Sequence, residues 1–573
     1  MKNYVLKEND SKLEKVFEAY PELLRRLLLN RGITDLETSE EFLNPDYLKL
    51  HDSSLMKDMD KAVKRIIEAV KKNQKIMIYS DYDADGIPGG VILHDFFKKI
   101  DYKNFENYIP DRHEEGFGLN PEAIDEFIKN GVQLLITVDC GIADAVEVLQ
   151  AKNFGIDTII TDHHEQSGEL PEAFAILDPK QSDCSYPEKM ICGSGVAFKL
   201  VQALVTEFKK DKKIIIKEGW EKWLLDMVGI ATLSDMVPLV GENRIFAHYG
   251  LKVLRVSPRV GLLKLLQKLK INQKHLCDDD IGFSISPRIN AASRMGMPID
   301  AFKLLSTSDE VLAGSLADHL DKINNERKGI VASIVKEVKK KISSRGFDKE
   351  NKKVIVIGNP EWRPALLGLV ANSLVDDYEC PVFLWGREGG STIKGSCRSD
   401  GKINVLEVME LAKDFFIAFG GHKMSGGFSV PHEKIHLLEE GILKAYELAV
   451  VSQEGSIDEN MIDAKLILND VNWDNYRIIE KLSPFGIGNP KPVFMFENSE
   501  IKSVKNFGKE GNHLEIGFEN SAGKKIPAIG FFMTSENFDK KLEVGRKINL
   551  VASMEKSMFR GFPELRLRIV DIV

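Results

Sequence analysis

The chain has 573 residues, enough for three or four domains of roughly 150 residues each. Hydrophobic residues make up 43% and charged residues 29%, an ordinary composition for a globular protein that needs no disulfide or metal in order to fold. The formal net charge of −9 argues against a protein coated in basic surface, although a local basic groove remains compatible with it.

The first half of the chain predicts a short helical lead-in followed by an α/β region. Residues 1–45 form the lead-in, and helical and strand patterns then alternate from about 60 to 240. Short apolar runs at 76–79, 134–138 and 158–161 are separated by helical segments. Continuous apolar strands of this kind are typical of a parallel sheet that is covered on both faces.

The second half predicts a long helix, a second α/β region and a barrel. Thr307 and Glu310 have the spacing of a capping box, and apolar residues follow at helical spacing until Gly346, a plausible helix-ending glycine. We interpret this helix as a spacer between two lobes. The second α/β region runs to about 450, and the polar stretch after it resembles a linker. Short strands with Gly-rich turns then predict a small β-barrel.

The cysteines and the apolar stretches bear on the compartment. Six cysteines are scattered without a C-x-x-C pair, so we expect no thiolate zinc site and a reducing, cytoplasmic location. The N-terminus lacks an apolar signal core, and no stretch approaches the ~20 apolar residues of a membrane span. We therefore expect no membrane contact.

Carboxylates follow three of the predicted strands. Asp81, Asp83 and Asp85 come directly after the first, Asp139 after the second, and Asp162-His163-His164 after the third. The first group is not an EF-hand, because a strand precedes it and Ile92 stands where calcium requires a glutamate. In parallel sheets, ligands bind at the carboxyl ends of the strands. Asp235 follows a further apolar run and adds another carboxylate.

So many converging carboxylates would repel one another unless cations neutralised them. A single aspartate at a strand end is most often a turn or helix-cap residue, and adjacent histidines are most often surface or core residues. Three strand ends that each carry a carboxylate make capping alone an insufficient explanation. Oxygen and imidazole ligands without thiolates favour two Mn²⁺ or Mg²⁺ ions over structural zinc.

At these residues the sequence resembles the DHH phosphoesterase superfamily. The four motifs appear in order as Asp81-Tyr82-Asp83-Ala84-Asp85-Gly86, Val138-Asp139-Cys140-Gly141, Asp162-His163-His164 and Ser234-Asp235. Further segments resemble the RecJ exonucleases within it: Tyr108–Arg112, Cys192–Ala197, Pro287–Ala292, Gly395–Ser399, Gly420–His422 and Pro484–Pro490. The resemblance spans nearly the whole chain.

The resemblance implies an α/β fold: a parallel-sheet DHH phosphoesterase domain, a long connecting helix, a smaller α/β DHH-associated domain and a C-terminal OB-like barrel. We expect a lead-in at 1–45, the DHH domain at 46–306, the connecting helix at 307–346, the DHH-associated domain at 347–452 and the OB-like domain at 453–573. In the barrel, several lysines and arginines, with Phe507, Phe559 and Phe562, are candidates to bind a single strand, although each phenylalanine could equally be core.

The resemblance also implies roles for individual residues. Asp83 and Asp139, with Asp81 beside them, would bind a first metal, and Asp85, Asp139, His163 and Asp235 a second, so that Asp139 bridges both. His164 would face the scissile phosphate. The candidates to hold substrate are Arg112, Ser396 and Arg398 at a 5′-terminal phosphate, and Arg288 and His422 along the DNA path.

The sequence departs from the family pattern at three places. Tyr79 stands where related enzymes often have a histidine, Pro88 replaces a small residue, and Glu361-Trp362-Arg363-Pro364 differs from Trp-His-x-Gly. These departures bear on ligands of the first metal and on substrate positioning.

The expected function is a single-strand-specific 5′→3′ DNA exonuclease that uses two metals. The alternatives are a phosphodiesterase for small substrates such as short oligonucleotides or cyclic dinucleotides, and a non-catalytic DNA-binding scaffold. We expect the protein to be a monomer and to bind single-stranded DNA. The resemblance further implies work in recombination and repair alongside a single-strand-binding protein and a RecQ-type helicase.

Overall fold

The computed structural model describes residues 4–7, 15–166, 168–211, 214–344, 353–387, 392–452, 460–508, 511–538, 540–558 and 562–573. The predicted domain boundaries at 346/347 and 452/453 fall at or in gaps between these ranges. So do Phe559 and two of the basic residues predicted to bind a single strand in the barrel, Lys509 and Arg560. Within the described residues, no helix is both long enough and apolar enough to cross a bilayer.

The first α/β region is built on a five-stranded parallel sheet, which we call the catalytic sheet. In spatial order its strands are Phe105–Tyr108, Ile76–Ser80, Leu134–Val138, Asp157–Thr161 and Ala175–Leu177. The three central strands are almost wholly buried because helices cover both faces, which explains their continuous apolar sequences. The three strands predicted from the sequence therefore lie side by side in one parallel sheet.

Helices surround the catalytic sheet and continue beyond it. Their bounds are Met59–Lys71, Gly86–Lys99, Pro121–Lys129, Ala145–Asn153, Gly193–Phe208, Leu225–Ser234, Gly241–Leu254, Val260–Leu269, Ser286–Met295 and Ile299–Ser306. One apolar core joins most of these helices to one face of the sheet, and a smaller core covers the other face.

A single helix, Glu310–Ser344, connects the two lobes, and we call it the connecting helix. Its first half packs into the core of the catalytic region, whereas Ile334, Val338 and Ile342 belong to the core of the second lobe. Asp309 caps it, because its carboxylate accepts hydrogen bonds from the backbone N–H groups of Val311 and Leu312. The predicted cap at Thr307 is therefore wrong: the backbone N–H of Thr307 still donates to the Lys303 carbonyl at the end of the preceding helix.

The second lobe contains a five-stranded mixed sheet. Its strands, in spatial order, are Ala418–His422, Ser425–Val430, Ile393–Arg398, Val382–Gly386 and Ile355–Gly358. Its helices are Pro364–Tyr378, Val405–Leu411 and Leu438–Ser452. Arg363 directly precedes the first of these helices, and Pro364 occupies its first turn, where a missing backbone N–H costs no hydrogen bond. The departure from the family pattern at this point is thus compatible with an intact helix start.

The C-terminal region forms a seven-stranded sheet. The strands, in spatial order, are Ala464–Leu466, Phe494–Glu500, Lys547–Ser557, Glu564–Ile572, Lys525–Gly530, His513–Glu519 and Ser503–Phe507, and a helix covers Trp473–Glu480. The N-terminal segment packs here. Its helices Glu22–Leu29 and Leu36–Leu43 contact the core of this sheet, and its strand Tyr4–Leu6 pairs with Asn460–Ile462.

Candidate metal centre

The predicted metal ligands meet at the carboxyl edge of the catalytic sheet. Asp81, Asp139 and His163 follow its three central strands, and Asp235 approaches from the end of the helix Leu225–Ser234. We call the set formed by these four residues with Asp83, Asp85 and His164 the acidic cluster. Asp235 is the C-cap residue of this helix, where the helix dipole disfavours a negative charge, so a nearby cation would stabilise its carboxylate.

Three overlapping groups within the acidic cluster have metal-site dimensions. They are Asp81–Asp83–Asp139, Asp85–His163–Asp235 and Asp139–His163–His164, and the ligand atoms in each lie within 4.8 Å of one another. The Nε2 atom of His163 is 3.1 Å from Asp139 Oδ1, 3.7 Å from Asp85 Oδ2 and 3.8 Å from Asp235 Oδ2. Asp139 and His163 each belong to two of the groups, and Asp139, which has two carboxylate oxygens, has the position expected of a bridging ligand.

Several ligand atoms are buried and have no hydrogen-bond partner among the described residues. These atoms are Asp81 Oδ1, Asp139 Oδ1 and His163 Nε2. Leaving buried polar atoms unpaired costs about 1–3 kcal/mol each, and more when the group is charged. Divalent cations would satisfy all three atoms, so the residues present fit a pair of metal ions.

The electrostatics lead to the same conclusion. Burial and the neighbouring carboxylates raise the pKa of Asp139 well above its usual range, and burial with the charges of Asp85 and Asp83 raises the pKa of Asp235 to about 8. Burial, followed by the charge of His164, lowers the pKa of His163 to about 3, which keeps that imidazole neutral and able to bind a metal. Buried carboxylates whose pKa values are raised by burial and by one another's charge are typical of cation sites.

The backbone around the acidic cluster is shaped to bring these ligands together. Asp139 adopts a left-handed conformation with a φ of 62°, which is uncommon for a residue other than glycine. A Cβ on Gly193 would lie 2.6 Å from Asp139 Oδ1, so only glycine permits this approach. The backbone N–H groups of Gly193 and Ser194, at a helix start, donate to the two oxygens of Asp85 at 2.6 and 2.7 Å.

Asp162 positions the two histidines. Its Oδ1 accepts hydrogen bonds from the backbone N–H of His163 and from His164 Nδ1, both at 2.7 Å. Burial opposes the charged form of His164, but its hydrogen bond to Asp162 and the charge of Asp162 outweigh this and raise the pKa of His164 to about 9. The sequence motif contains Asp162 but does not predict a role for it. In the structure Asp162 holds the two histidines that follow it through hydrogen bonds.

Two departures from the family pattern have structural explanations. Tyr79 is fully buried, and its hydroxyl donates to the Gly118 carbonyl at 2.7 Å while its ring stacks on Tyr108. It therefore belongs to the core on one face of the sheet rather than to the acidic cluster. Pro88 lies in the first turn of the helix Gly86–Lys99, where proline is tolerated.

Arginines gather beside the acidic cluster. Arg294 is the centre of this group: burial, followed by the charges of Arg112 and Arg327, lowers its pKa to about 9, and Asp83 and Arg398 also act on it. We call Arg112, Arg294, Arg327 and Arg398 the arginine cluster. Among the residues that the structure describes, none of the four forms an ion pair with a carboxylate. A cluster of arginines that lack ion-pair partners in the described part of the chain suits an anion such as phosphate.

Sequence reasoning missed Arg294. Its Nη1 donates to the Ala365 carbonyl at 2.7 Å, across the junction between the two lobes. The available signal was its position in the helix that also carries Arg288, where the helical repeat places the two side chains about 120° apart around the axis. The spacing alone does not show that residues of the second lobe, such as Ala365, pack against Arg294.

The remaining predicted substrate residues occupy different surroundings. Arg288 is buried and bonded to Asp321 of the connecting helix at 2.9 Å. Ser396 and Arg398 lie on one strand of the second lobe, and His422 is exposed on its edge strand, opposite Ser425, which in turn pairs with Arg398. The structure thus places Arg112 and Arg398 each within electrostatic range of Arg294, whereas Arg288 is held by an ion pair with Asp321.

Comparison with known proteins identifies the family. Residues 75–232 match the DHH family N-terminal domain, residues 350–447 the DHHA1 domain and residues 462–571 the RecJ OB domain. The chain is 34% identical over 553 residues to the single-stranded-DNA-specific exonuclease RecJ of Bacillus subtilis, covering 96% of this chain and 67% of that protein. It is 31% identical to the Haemophilus influenzae RecJ, covering 96% of each. The chain belongs to the RecJ family.

The fold agrees with this assignment. The RecJ of Thermus thermophilus, solved with Mn²⁺, matches with a TM-score of 0.82 at 23% identity, over all of this chain and 79% of that one. The predicted resemblance to RecJ and the predicted fold class are confirmed. Membership in a family of single-stranded-DNA-specific exonucleases also confirms the predicted enzyme class, a phosphodiester hydrolase that digests single-stranded DNA.

Proposed function

We propose that this RecJ-family protein digests single-stranded DNA from its 5′ end with two divalent ions held by the acidic cluster. The observation that carries the proposal is the set of buried ligand atoms without partners on Asp81, Asp139 and His163. In our assignment Asp81, Asp83 and Asp139 hold the first ion, and Asp85, Asp139, His163 and Asp235 hold the second. When bound, such ions supply Lewis acidity toward the phosphate and an acidified water.

Mn²⁺ and Mg²⁺ are the ions we propose. Carboxylate and imidazole ligands without thiolates suit them, and the Thermus thermophilus RecJ has been solved in complex with each. The chain's own contribution to the chemistry is positioning. Asp162 fixes the orientation of His164, which leaves the Nε2–H of that ring available to donate to a phosphoryl oxygen.

The arginine cluster supports cutting from an end. Arg112 and Arg398, with Ser396, would bind the 5′-terminal phosphate, and Arg294 lies within electrostatic range of Arg112, Arg398 and Asp83. Arginine binds phosphate through two parallel hydrogen bonds, so the terminal group would be held in a fixed place beside the metals. A strand held by its 5′-phosphate places the first internal phosphodiester at the acidic cluster, which gives the 5′→3′ direction.

A groove along the connecting helix supports a polymeric substrate. Arg327, Lys328, Lys336 and Lys339 line a cavity of about 440 Å³ between this helix and Leu369 and Ser373 of the second lobe. Arg288 lies close enough for its charge to lower the pKa of Lys328, after the effect of burial. We propose that this basic groove, together with His422 of the second lobe, binds the sugar-phosphate backbone of the single-stranded DNA.

The C-terminal region offers an aromatic surface to the bases. The guanidinium of Arg568 lies 4.1 Å from the ring centroid of Phe531, and Phe532 is 81% exposed beside His513. Phe507 and the exposed Phe562 extend the aromatic character predicted from the sequence. Bases of any sequence stack on such rings, which suits a nuclease without sequence preference.

We further propose how the domains and partners divide the work. We assign hydrolysis to residues 46–306 and binding of the strand to residues 453–573. The connecting helix, predicted at 307–346 and described as Glu310–Ser344, would set the width of the groove that residues 347–452 close. Membership in the RecJ family implies work in recombination and repair alongside a RecQ-type helicase and a single-strand-binding protein, and we propose that the protein works there as a monomer. No disulfide joins any of the six cysteines, all of which lie in the described part of the chain, and we propose that the protein works in the reducing cytoplasm.

The deciding experiment is digestion of single strands labelled at the 5′ or the 3′ end, with and without Mn²⁺. We expect Mn²⁺-dependent release of 5′ label first, no digestion of duplex, and no activity in Asp139→Ala. A dinucleotide substrate separates the alternative: faster hydrolysis of dinucleotides than of long strands would assign the protein to small substrates. Strand binding without Mn²⁺-dependent release would favour the scaffold.

A further inference from the structure

A cleft of about 500 Å³ opens at the edge of the catalytic sheet, apart from the acidic cluster. It lies between the edge strand Phe105–Tyr108 and the helices Gly86–Lys99 and Ile299–Ser306. None of its lining residues belongs to the acidic cluster or the arginine cluster. His94 follows Gly86 by eight residues, which places it about 12 Å along the helix from the metal centre. The cleft is within the size range of small-molecule sites.

The walls of the cleft are aromatic. The ring of His94 lies 5.3 Å from Phe105 and 5.3 Å from Phe302, measured between centroids, with an edge-to-face geometry in both pairs. Tyr102 also lines the cleft. Phe302 and Tyr102 are buried behind this wall, so the partly exposed rings of His94 and Phe105 provide the surface on which a planar heterocycle can stack.

The rim of the cleft is basic. Lys98, Lys103 and Lys303 line it. Lys103 is paired with Asp101 at 2.6 Å, and the lining carboxylate of Glu106 is paired with Lys75 at 2.9 Å. Over the described parts of the chain, Lys98 and Lys303 form no ion pair. The cleft therefore carries a net positive charge in a protein whose formal net charge is −9.

Two polar atoms beside the aromatic wall have no partner. His94 Nδ1 lies 2.7 Å from Asn107 Oδ1, while His94 Nε2 and Asn107 Nδ2 are buried and unpaired. With this amide orientation, Asn107 offers a donor and His94 an acceptor. If the amide is turned over, the two roles exchange, so that one donor and one acceptor remain in either case. A nucleobase edge presents the complementary pair.

We propose that this cleft binds a free nucleoside 5′-monophosphate, with the base against the aromatic wall and the phosphate on Lys98 and Lys303. The chemistry of the cleft identifies a nucleotide without reference to the metal centre. Only the view that the nucleotide is the enzyme's own product rests on the proposed function. The cleft would then be a second nucleotide site, apart from the metal centre, and its occupancy would rise as the product accumulates.

Calorimetric titration of the full chain with dAMP in EDTA tests the proposal. The double variant Lys98→Ala/Lys303→Ala should bind dAMP on the order of tenfold more weakly than the unaltered chain, because two charge-assisted contacts are lost. Lys129→Ala, which alters an exposed lysine at the end of another helix of the same lobe, should bind as the unaltered chain does. Asn107→Ala should weaken dAMP but not inorganic phosphate.

Several results would overturn the proposal. Absent dAMP binding, or equal binding by the double variant, removes the site. Equal affinity for inorganic phosphate and dAMP reduces it to a general anion site. Binding of an oligothymidylate but not of dAMP assigns the cleft to the strand. The exonuclease rate of the double variant on saturating single strands should be unchanged, so that failure of this site and failure of the proposed function give different results.

Discussion

The acidic cluster and the arginine cluster are neighbours with opposite charge, and they are assembled in different ways. The acidic cluster comes mainly from strand ends of one sheet, so its ligands are placed by the fold of a single region. The arginine cluster takes Arg112 and Arg294 from the catalytic region, Arg327 from the connecting helix and Arg398 from the second lobe. The residues for hydrolysis therefore all come from one lobe, whereas the residues for recognition of the 5′ end of the DNA come from both lobes.

The largest effect is expected at the bridging position. Asp139→Ala removes a ligand from two of the three groups, so we expect the exonuclease rate to fall at least ~10³-fold, about 4 kcal/mol of barrier. The measurement is single-turnover digestion in Mn²⁺. Asp125→Ala, at an exposed carboxylate of the same lobe, is the matched control and should keep full activity. Comparable activity in the two variants would show that the acidic cluster is not the hydrolytic centre.

A smaller effect is expected behind the ligands. Asp162→Asn keeps the shape but loses the charge that orients His164, and such changes cost about 10–100-fold in metal affinity or activity. Mn²⁺ titration of the variant, followed by the rate at saturating Mn²⁺, separates the two contributions. If both values matched the unaltered chain, Asp162 would be a structural residue alone.

The arginine cluster should respond through the strand end rather than through the metals. Arg398→Ala and Arg294→Ala each remove charge-assisted contacts, so we expect about tenfold slower digestion of 5′-phosphorylated strands. Strands with a 5′-hydroxyl should be affected much less, and Mn²⁺ affinity should be unchanged. Equal losses on both substrates would mean that the cluster does not read the terminal phosphate.

The smallest effect is expected on the C-terminal aromatic surface. Phe532→Ala should weaken binding of long single strands about fivefold while leaving the rate on very short strands unchanged, because one stacking contact is lost. Phe154→Ala is a suitable control, since Phe154 is 64% exposed but lies in the catalytic region. A loss on short strands as well would place Phe532 in the path to the metals.

The same contrast explains how much could be predicted from the sequence. The strands of the catalytic sheet are short apolar runs, and the residues after them are fixed by the parallel arrangement, so Asp81, Asp139 and His163 could be found from pattern alone. Arg294 could not, because its burial depends on how the second lobe packs against one helix. The contact of the N-terminal helices with the C-terminal core was also hidden, since an apolar helix face does not specify its partner. The sequence alone also does not decide which residue caps the connecting helix, because threonine and aspartate are both good caps and stand two positions apart. In the structure the cap is Asp309 and not Thr307.

The most direct test of the central claim is the number of Mn²⁺ ions bound per chain, counted by electron paramagnetic resonance in the absence of DNA. The account predicts two ions, close enough to couple magnetically, in the unaltered chain and loss of that coupling in Asp139→Ala. A single ion, or two coupled ions that persist in Asp139→Ala, would contradict it.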